Sequence, residues 1–285
     1  MKDVTLTPPM RQLIELLESR TGQTLSESRV WRLETSLKPV LKSAGLKDSE
    51  ELMDRIVSDP DGPLAVQTVD ALVNNETSFF RDAHIFNMIG KDLLPQMMER
   101  LVADDRGKTL RIWCAGCSTG QEAYSLALLF RNLVDEKSGF RLQIVATDVS
   151  RSAIGRARSG LYPQMDVQRG LPINDLLRWF EPAGDDWQVH QSLRDMIEFR
   201  VDNLLDSRAM NGDYDMVFCR NVLLYFSPER KAQIFSRLAR QCRVGGYLLL
   251  GAGETVIGQT HDFTASRTFR GVYEHVDASD FGANI

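Results

Sequence analysis

The sequence predicts an α/β protein in which a domain built on a mostly parallel β-sheet follows a small all-α domain. Three observations lead to this prediction. Apolar residues recur at helical spacing in the first 72 residues, the breaker DPDGP interrupts them at 59–63, and short apolar runs alternate with helical segments from residue 110 onward. Apolar strands separated by helices are typical of parallel sheets that helices cover.

Residues 1–72 are predicted to form the helical domain and its linker. Apolar residues at helical spacing cover residues 10–57, where Asp48 offers a helix start. After the breaker, residues 64–73 are predicted to form a further helix.

Residues 73–285 are predicted to form the α/β domain. Four apolar runs are predicted as buried strands: LRIWC (110–114), QIVATD (143–148), YDMVFCRN (214–221) and YLLLGA (247–252). Helices are predicted at 121–134, 150–160 and 228–242, and an antiparallel edge strand at 267–276. Residues 161–200 are predicted to form an inserted antiparallel β-subdomain, in which 187–190 and 196–201 pair as a hairpin.

The chain length, the net charge and the first residues limit which kinds of protein this can be. The 285 residues suffice for one large domain or two modest ones, and a net charge of −5 argues against wholesale binding to nucleic acid or an anionic membrane. The stretch MKDVTLTPPM lacks the apolar region of a signal peptide, and no apolar run is long enough to span a bilayer. We therefore expect a cytoplasmic protein without nucleic-acid binding or membrane insertion.

The loop AGCSTG after the first strand is a candidate cofactor loop. Gly116 and Gly120 flank Ser118, where a dinucleotide fingerprint would carry a third glycine. Residues without side chains allow a ligand to approach the backbone closely. A cofactor without phosphate, such as S-adenosylmethionine (SAM), needs less than the full fingerprint, so the loop favours SAM over NAD.

Two acidic residues accompany this loop. Asp148 ends the second strand, where an acid can accept hydrogen bonds from both ribose hydroxyls; the alternative is an N-cap for the next helix. Glu122 lies in the first turn after the loop and suits a cationic amino group; the alternative is simple complementarity with the helix dipole.

The four cysteines are expected to be reduced thiols. They are Cys114, Cys117, Cys219 and Cys242, and the first two have C-x-x-C spacing. A structural zinc site would need a second closely spaced pair, which is missing from the sequence. We therefore predict no metal site.

Six motifs, in this order and spacing, resemble the chemotaxis-receptor methyltransferases, the CheR family, over nearly the whole chain. They are NNETSFFRD (74–82), WCAGCSTGQEAYSLA (113–127), ATDVS (146–150), NLL (203–205), FCRNVLLYF (218–226) and LGAGE (250–254). The resemblance implies a Rossmann-like, SAM-dependent O-methyltransferase that modifies glutamates of bacterial chemoreceptors and releases S-adenosylhomocysteine. Besides the Gly116 loop, it implies these cofactor-binding residues: Asn75, Thr77, Arg81, Glu122, Asp148, Asn203, Leu204, Arg220 and Asn221.

The resemblance also suggests how the reaction is catalysed. A glutamate carboxylate, with an unperturbed pKa near 4.3, is already an anion at neutral pH, so no general base is needed. Arg81 and Tyr225 are predicted to orient this carboxylate near the methyl group; the alternative for Tyr225 is packing under the loop. Phe79 and Phe80 are expected to pack the junction between the domains.

Two departures from the family pattern stand out. The family often reads G-H-S-E where this chain has Gly251-Ala252-Gly253-Glu254, so any role of that histidine is absent. The hairpin between Phe180 and Trp187 is short, whereas some members use a longer one to clasp a peptide tether of the receptor. We therefore expect a tether-independent enzyme.

A basic stretch is the predicted docking surface for the acidic methylation helices of the receptor. Its residues are Arg29, Arg32, Lys38, Lys42 and Lys47, and the alternative is an ordinary solvated face. Rival functions are a methyltransferase of a small molecule or nucleic acid, a non-catalytic SAM-binding or receptor-binding adaptor, and an NAD oxidoreductase.

Overall fold

The computed structural model describes three ranges of the chain: residues 7–25, 31–206 and 212–277. The chain divides into two compact units. The first is Met1–Asn75 with Tyr225–Arg230, and the second is Glu76–Leu224 with Lys231–Ile285. The described elements of the first are helical and the second contains both β-sheets, which confirms the predicted fold class. The boundary predicted after residue 72 stays a prediction.

Helices form the first unit. They are α1 (Pro8–Thr21), α2 (Trp31–Ala44), α3 (Ser49–Ser58) and α4 (Pro63–Leu72). The apolar stripes read from the sequence face inward, with Leu13, Leu33 and Leu52 almost fully buried. Asp48 caps α3 as predicted, because its Oδ1 accepts hydrogen bonds from the backbone N–H groups of Glu50 and Glu51, both at 3.0 Å.

The second unit contains ten described strands. They are β1 (Thr109–Ala115), β2 (Arg141–Asp148), β3 (Leu161–Pro163), β4 (Phe180–Ala183), β5 (Asp186–Val189), β6 (Ile197–Val201), β7 (Tyr214–Cys219), β8 (Cys242–Leu250), β9 (Phe263–Ala265) and β10 (Val272–His275). The main sheet has the order β6-β2-β1-β7-β8-β10-β9. Neighbouring strands from β6 to β8 in this order pair in parallel, β10 pairs antiparallel with β8, and β9 pairs antiparallel with β10. The four apolar runs predicted as strands all lie in it.

Eight further α-helices follow α4 among the described residues. They are α5 (Ala83–Met88), α6 (Leu94–Ala103), α7 (Gln121–Leu133), α8 (Arg151–Ser159), α9 (Gln164–Gln168), α10 (Ile173–Trp179), α11 (Gln191–Arg194) and α12 (Pro228–Gln241). A π-helical turn (Ile89–Leu93) joins α5 to α6, and short 3₁₀ turns occur at Glu136–Ser138 and Leu223–Tyr225.

The strand order reverses at the centre of the main sheet. The chain places β2 on one side of β1 and β7 on the other, with Ala115 paired to Thr147 and Cys114 paired to Phe218. The carboxyl ends of β1, β2 and β7 therefore share one edge. In open α/β sheets, ligands bind at this kind of reversal.

The predicted antiparallel subdomain is confirmed, but its predicted hairpin is wrong. Strand β5 pairs with β3 and β4 in a separate three-stranded antiparallel sheet, whereas β6 pairs in parallel with β2 of the main sheet. The alternation that buries Ile197 and Phe199 in β6 indicates one buried face. It does not indicate which strand supplies the partner, and α11 lies between the two segments.

The edge of the main sheet also differs from the prediction. Within residues 267–276, only β10 is a strand; it is antiparallel to β8, as expected, but β9 pairs with its other side and takes the edge. Strand β9 has only three residues, Phe263–Ala265, which is too short for a recognisable strand pattern in the sequence.

Candidate functional site

The loop after β1 has a backbone that requires glycine. Gly116, Ser118 and Gly120 all have positive φ, at 82°, 51° and 94°. A Cβ on Gly116 would lie 2.5 Å from Cγ2 of Val222, and one on Gly120 would lie 2.8 Å from Cβ of Ala157. The glycines are therefore needed for close approach, and Ser118 takes the third left-handed position that a fingerprint glycine would otherwise occupy.

Asp148 fastens this loop to the end of β2. Its Oδ2 accepts a hydrogen bond from the backbone N–H of Ser118 at 2.7 Å, and its Oδ1 accepts one from Ser150 at 3.0 Å. The N-cap of α8 is Ser150, whose Oγ accepts from the backbone N–H of Ala153 at 3.1 Å. The capping alternative for Asp148 is therefore wrong, and the buried carboxylate lies beside the glycine loop.

Arg220 is the centre of a buried ion-pair network at the end of β7. Its Nη1 donates to Oε2 of Glu122 at 3.0 Å, and its Nη2 donates to Oδ2 of Asp82 at 2.7 Å and to the carbonyl of Arg81 at 3.1 Å. The guanidinium also lies over the Phe86 ring. The side chain of Arg220 is 2% exposed, so the network fixes α7 and residues 81 and 82 against β7.

Glu122 is a buried acid in this network. Burial raises the pKa of its carboxyl above the ordinary value, and the nearby Arg220 guanidinium opposes that shift. Arg81 opposes it as well, as the smallest of these influences. Glu122 is therefore a buried acid paired with Arg220, and its contact with a cationic ligand group stays a prediction.

Glu254 is a functional candidate that the sequence reasoning missed. Its Oε2 accepts from the backbone N–H groups of Asn221 and Gly251 at 2.8 and 2.7 Å. Its Oε1 accepts from those of Val222 and Leu223 at 2.9 and 2.7 Å. This single carboxylate thereby holds the loop after β7, in which Asn221 has a positive φ of 59°. The acid that ends LGAGE was the available signal.

Asn203 and Leu204 lie in the loop after β6. The backbone N–H of Asp202 donates to the carbonyl of Asp148 at 2.9 Å, which places this loop beside the end of β2. Asn203 Oδ1 accepts from the backbone N–H of Leu205 at 3.0 Å, and Leu204 is buried. Arg237, another residue missed from sequence, donates to the carbonyl of Asn203 and pairs with Asp202 at 2.7 Å.

The motif around Arg81 is tightly folded onto the second unit. Phe80 and Asp82 have positive φ, at 48° and 62°, and Arg81 Nη1 donates to the carbonyl of Glu76 at 2.9 Å. The two phenylalanines were expected to pack the domain junction. Their ring contacts lie within the second unit instead, Phe79 with Tyr162 and Phe180 of the small sheet, and Phe80 with Phe86.

Asn75 and Tyr225 belong to the first unit, whereas half-buried Thr77 belongs to the second. The phenol oxygen of Tyr225 accepts a hydrogen bond from Nδ2 of Asn74, and its carbonyl accepts one from the backbone N–H of Thr24 at 2.7 Å. Both contacts lie within the helical unit.

The predicted docking residues differ in their surroundings. Lys38 and Lys42 are exposed one turn apart on α2. Lys47 pairs with Glu51 at 3.5 Å, and half-buried Arg32 donates to Oδ1 of Asn74 at 2.6 Å. Arg29 lies outside the described residues.

The cysteines are buried and unpaired thiols. Burial raises the pKa of Cys114, Cys117 and Cys219 well above the ordinary value, which suppresses the reactive thiolate. Within 7–25, 31–206 and 212–277, no group of His, Cys, Asp and Glu is arranged to hold a metal ion. None of the helices described there combines the length and apolar character of a membrane span.

The three loops at this sheet edge offer the atoms that a small polar ligand would need. The Nε of Arg220 and the Oδ1 of Asn221 are buried and have no hydrogen-bond partner among the described residues. Glu122 pairs with Arg220, the Gly116 position packs against Val222, and Asp148 holds the same glycine loop through Ser118. This donor and acceptor set fits a nucleoside that carries an amino-acid group.

A protein-family model described as "CheR methyltransferase, SAM binding domain" matches residues 75–272. This range contains the glycine loop, Asp148, the Arg220 network and Glu254.

Several curated proteins are similar to most of the chain. A chemotaxis protein methyltransferase of Pseudomonas putida is 39% identical over 248 residues, which are 85% of this chain and 88% of the relative. One of Pseudomonas aeruginosa is 40% identical over 246 residues, covering 84% and 87%. One of Vibrio parahaemolyticus is 36% identical over 265 residues, covering 92% and 94%.

Proposed function

The chain belongs to the CheR methyltransferase family, and we propose that it esterifies glutamate side chains of bacterial chemoreceptors with the methyl group of SAM. The resemblance of its motifs to this family is thereby confirmed, and the chain is a SAM-dependent methyltransferase. One observation supports the site most directly. The glycine loop, Asp148 and the Arg220–Glu122 pair converge at one edge of the main sheet.

In our proposal, each residue at this edge binds a different part of the cofactor. Asp148 accepts from the ribose hydroxyls, because its carboxylate ends β2 directly beside the glycine loop. Glu122 faces the methionine ammonium, and the Nε of Arg220 faces its carboxylate. Gly116 lets the cofactor lie against the backbone, and Asn221 Oδ1 accepts a further donor.

The rim of the pocket is assigned more loosely. Asn203 and Leu204 border the Asp148 side, since the Asp202–Asp148 hydrogen bond keeps their loop there. Asn75 and Thr77 are assigned by their match to the family motif, and so is the contribution of Arg81 to cofactor binding. Replacing each of these residues with alanine and measuring the affinity for S-adenosylhomocysteine by calorimetry tests the assignment. Unchanged affinity for all of the variants would show that these residues do not bind the cofactor.

The chemistry requires positioning more than proton transfer. SAM, when bound, would supply a methyl group on a sulfonium: a glutamate oxygen forms a bond to the methyl carbon, the C–S bond breaks in line, and the sulfur keeps the electron pair as a neutral thioether. The glutamate is already ionised at neutral pH. Arg81 and Tyr225 orient it, and good alignment alone is worth roughly 7–11 kcal/mol of the barrier. Arg81→Ala and Tyr225→Phe should each lower kcat, and unchanged values for both would remove the assignment.

Esterification removes one negative charge from the receptor. On a helix bundle this relieves like-charge repulsion and biases a two-state signalling element, which is the basis of adaptation. Because the acceptor helices of chemoreceptors lie on the cytoplasmic side, we propose the cytoplasm as the site of action.

Docking of the receptor is proposed to centre on Lys38 and Lys42. Both are exposed on the same face of α2, as an acidic helix requires, and Arg29 and Arg32 extend the stretch in the sequence. Reversing both lysines to glutamate should raise KM for receptor membranes without changing SAM affinity. The same change at Lys91 is the control, because that lysine is also exposed but lies in the second unit.

We further propose that no receptor tether is needed. Strands β4 and β5 have four residues each and are joined by Gly184 and Asp185 alone, so the hairpin offers little surface for a peptide. Receptors with and without their C-terminal five residues should therefore have the same KM. A rise on truncation would contradict the proposal.

One assay separates the proposed function from its rivals. The protein is incubated with methyl-labelled SAM and membranes that carry chemoreceptors, and the label is then tested in mild alkali. Glutamyl methyl esters lose the label, whereas N-methyl groups keep it. Label on another substrate would favour a different methyltransferase, and bound SAM without any transfer would favour an adaptor.

A further inference from the structure

A single peptide group, the one between Phe79 and Phe80, is held from two sides within the second unit. Its N–H, which belongs to Phe80, donates to Oγ of Ser125 in α7 at 2.9 Å. Its carbonyl oxygen, which belongs to Phe79, faces the turn after α9, where a Cβ added to Gly170 would lie 2.1 Å from it. Gly170 also has a positive φ of 93°, so glycine is required there for space and for backbone conformation. We call Ser125 and Gly170 the peptide clamp.

The hydroxyl of Ser125 is fully used inside the protein. Its O–H donates to the carbonyl of Gln121 at 2.6 Å, one turn earlier in α7, and its oxygen accepts from Phe80. The side chain of Ser125 is 0% exposed. Without this hydroxyl, the N–H of Phe80 has to move to find another acceptor, because an unpaired buried donor is unfavourable.

The clamped peptide leads directly into strained backbone around Arg81. Phe80 and Asp82 have positive φ, at 48° and 62°, which is unfavourable for residues with a side chain. Such a conformation persists only where the surrounding contacts determine it. The peptide clamp supplies these contacts before Arg81, and Arg220 Nη2 supplies them after it by donating to the Arg81 carbonyl at 3.1 Å and to Asp82 Oδ2 at 2.7 Å.

We propose that Ser125 and Gly170 are positioning residues for Arg81 in methyl transfer. The peptide clamp determines the direction in which the chain enters residue 81. The Arg81 guanidinium, which donates to the carbonyl of Glu76 at 2.9 Å, follows the backbone of this segment. A shift of the clamped peptide therefore displaces the group that orients the glutamate carboxylate, and alignment of this kind is sensitive to small displacements. The inference rests on the role that the proposed function gives to Arg81.

The substitution Ser125→Ala removes one side of the peptide clamp. The left-handed backbone can then relax, so amide hydrogen exchange of residues 79–82 should become faster than in the wild type. We expect kcat with SAM and chemoreceptor membranes to fall about tenfold, the factor for one hydrogen bond. KM for the membranes should stay unchanged, because receptor docking is proposed for α2.

Tyr124→Phe is the matched control in the same helix. It removes a buried hydrogen bond of similar kind, from the Tyr124 hydroxyl to the carbonyl of Ala157 at 2.8 Å, and it leaves residues 79–82 untouched. It should lower the unfolding midpoint as Ser125→Ala does, yet keep the wild-type kcat and the wild-type exchange of residues 79–82.

Gly170→Ala tests the other side of the peptide clamp. Its Cβ would displace the Phe79 carbonyl, so kcat should fall at least as far as in Ser125→Ala. Gly107→Ala is the control for backbone strain: Gly107 also has a left-handed φ, 78°, but an added Cβ would meet no atom within 4 Å. It should lose stability without losing kcat. Equal kcat for both glycine variants would contradict a role for Gly170.

The Arg81→Ala background shows whether the peptide clamp acts through Arg81. Ser125→Ala should cause no further loss of kcat there, because the group that it displaces is gone. A wild-type kcat for Ser125→Ala, unchanged exchange of residues 79–82, or an equal further loss in the Arg81→Ala background overturns the inference alone. If Arg81→Ala itself keeps the wild-type kcat, the role of Arg81 in the proposed function fails first and the inference fails with it.

Discussion

Two loops meet at the carboxyl edge of the main sheet, and they are held in different ways. The loop Gly116–Gly120 takes its shape from three left-handed residues and from hydrogen bonds that its backbone donates to the carbonyl of Thr147 and the carboxylate of Asp148. The loop Asn221–Leu223 takes its shape from one carboxylate, Glu254, which accepts from three of its backbone N–H groups. The first loop combines a local backbone preference with a side chain some thirty residues away, whereas the second, with one left-handed residue, depends mainly on a side chain at a similar distance along the chain.

The difference explains which loop can be recognised in a sequence. Glycines directly after an apolar strand predict a turn without other information, because only glycine adopts positive φ angles without strain. A glutamate that binds backbone amides has no such signature, since its partners are determined by the fold. The two loops nevertheless depend on each other, because Gly116 packs directly against Val222.

The largest effect is expected where the loops touch. Gly116→Ala places a Cβ 2.5 Å from Val222 at a φ of 82°. Left-handed strain of about 1–2 kcal/mol and overpacking of about 1–3 kcal/mol should together destabilise the protein by about 2–5 kcal/mol in urea unfolding. Binding of S-adenosylhomocysteine should be lost in calorimetry.

Gly155→Ala is the matched control for this change. Gly155 lies inside α8, and a Cβ added there would meet no neighbouring atom within 4 Å, so alanine should stabilise by about 0.5–1 kcal/mol. Adding Val222→Ala to Gly116→Ala should recover part of the loss. No recovery would mean that the two loops do not crowd each other.

The second effect concerns the carboxylate that holds the other loop. Glu254→Gln leaves one acceptor oxygen for four backbone N–H groups, so at least one buried donor loses its partner. We expect a loss of about 2 kcal/mol in stability and about a tenfold weaker affinity for S-adenosylhomocysteine. Exposed Glu15, changed in the same way, should behave like the wild type. Equal affinity for both variants would contradict a role for Glu254 in shaping the pocket.

The fold was predictable from sequence where local patterns determine it. All of β7 and the carboxyl-terminal parts of β1, β2 and β8 are buried on both faces, so their apolar runs identify them as strands of a covered parallel sheet. Strand β6 was assigned the wrong partner, because alternation reveals a buried face and not the neighbouring strand.

The site was predictable to a similar extent. Asp148 and Glu122 stand at fixed places relative to a strand end or a glycine loop, so their positions could be anticipated. Glu254, Arg237 and Ser125 act through backbone groups or distant side chains, and their partners become neighbours only in the folded chain. Glu254 holds the loop after β7, and Arg237 holds the loop after β6.

A smaller loss of stability is expected for Asp148→Asn, which tests the hydrogen bond that holds the glycine loop. An amide keeps one of the two acceptors, so either Ser118 or Ser150 loses its hydrogen bond, at about 1 kcal/mol of stability. Affinity for S-adenosylhomocysteine should fall about tenfold, because the ribose also loses an acceptor. Ser150→Ala removes the N-cap of α8 at a similar loss of about 1 kcal/mol, yet should leave affinity unchanged. Equal affinities would show that Asp148 has only a structural role.

The smallest effect is a pH dependence that Glu122 imposes on both stability and binding. Its pKa is raised by burial, so the folded protein holds this proton at a pH where the unfolded chain has released it. Its contribution to stability is fully present below the ordinary value of 4.5 and is lost as pH rises through the raised pKa. Urea unfolding from pH 4 upward should therefore show wild type losing stability relative to Glu122→Gln.

If the ligand ammonium binds Glu122, binding of S-adenosylhomocysteine in the same pH range should release a proton. The release is detected as a binding heat that depends on the buffer, and Glu122→Gln should abolish it. A buffer-dependent heat that persists in Glu122→Gln would assign the proton to another group and remove Glu122 from the cofactor contact.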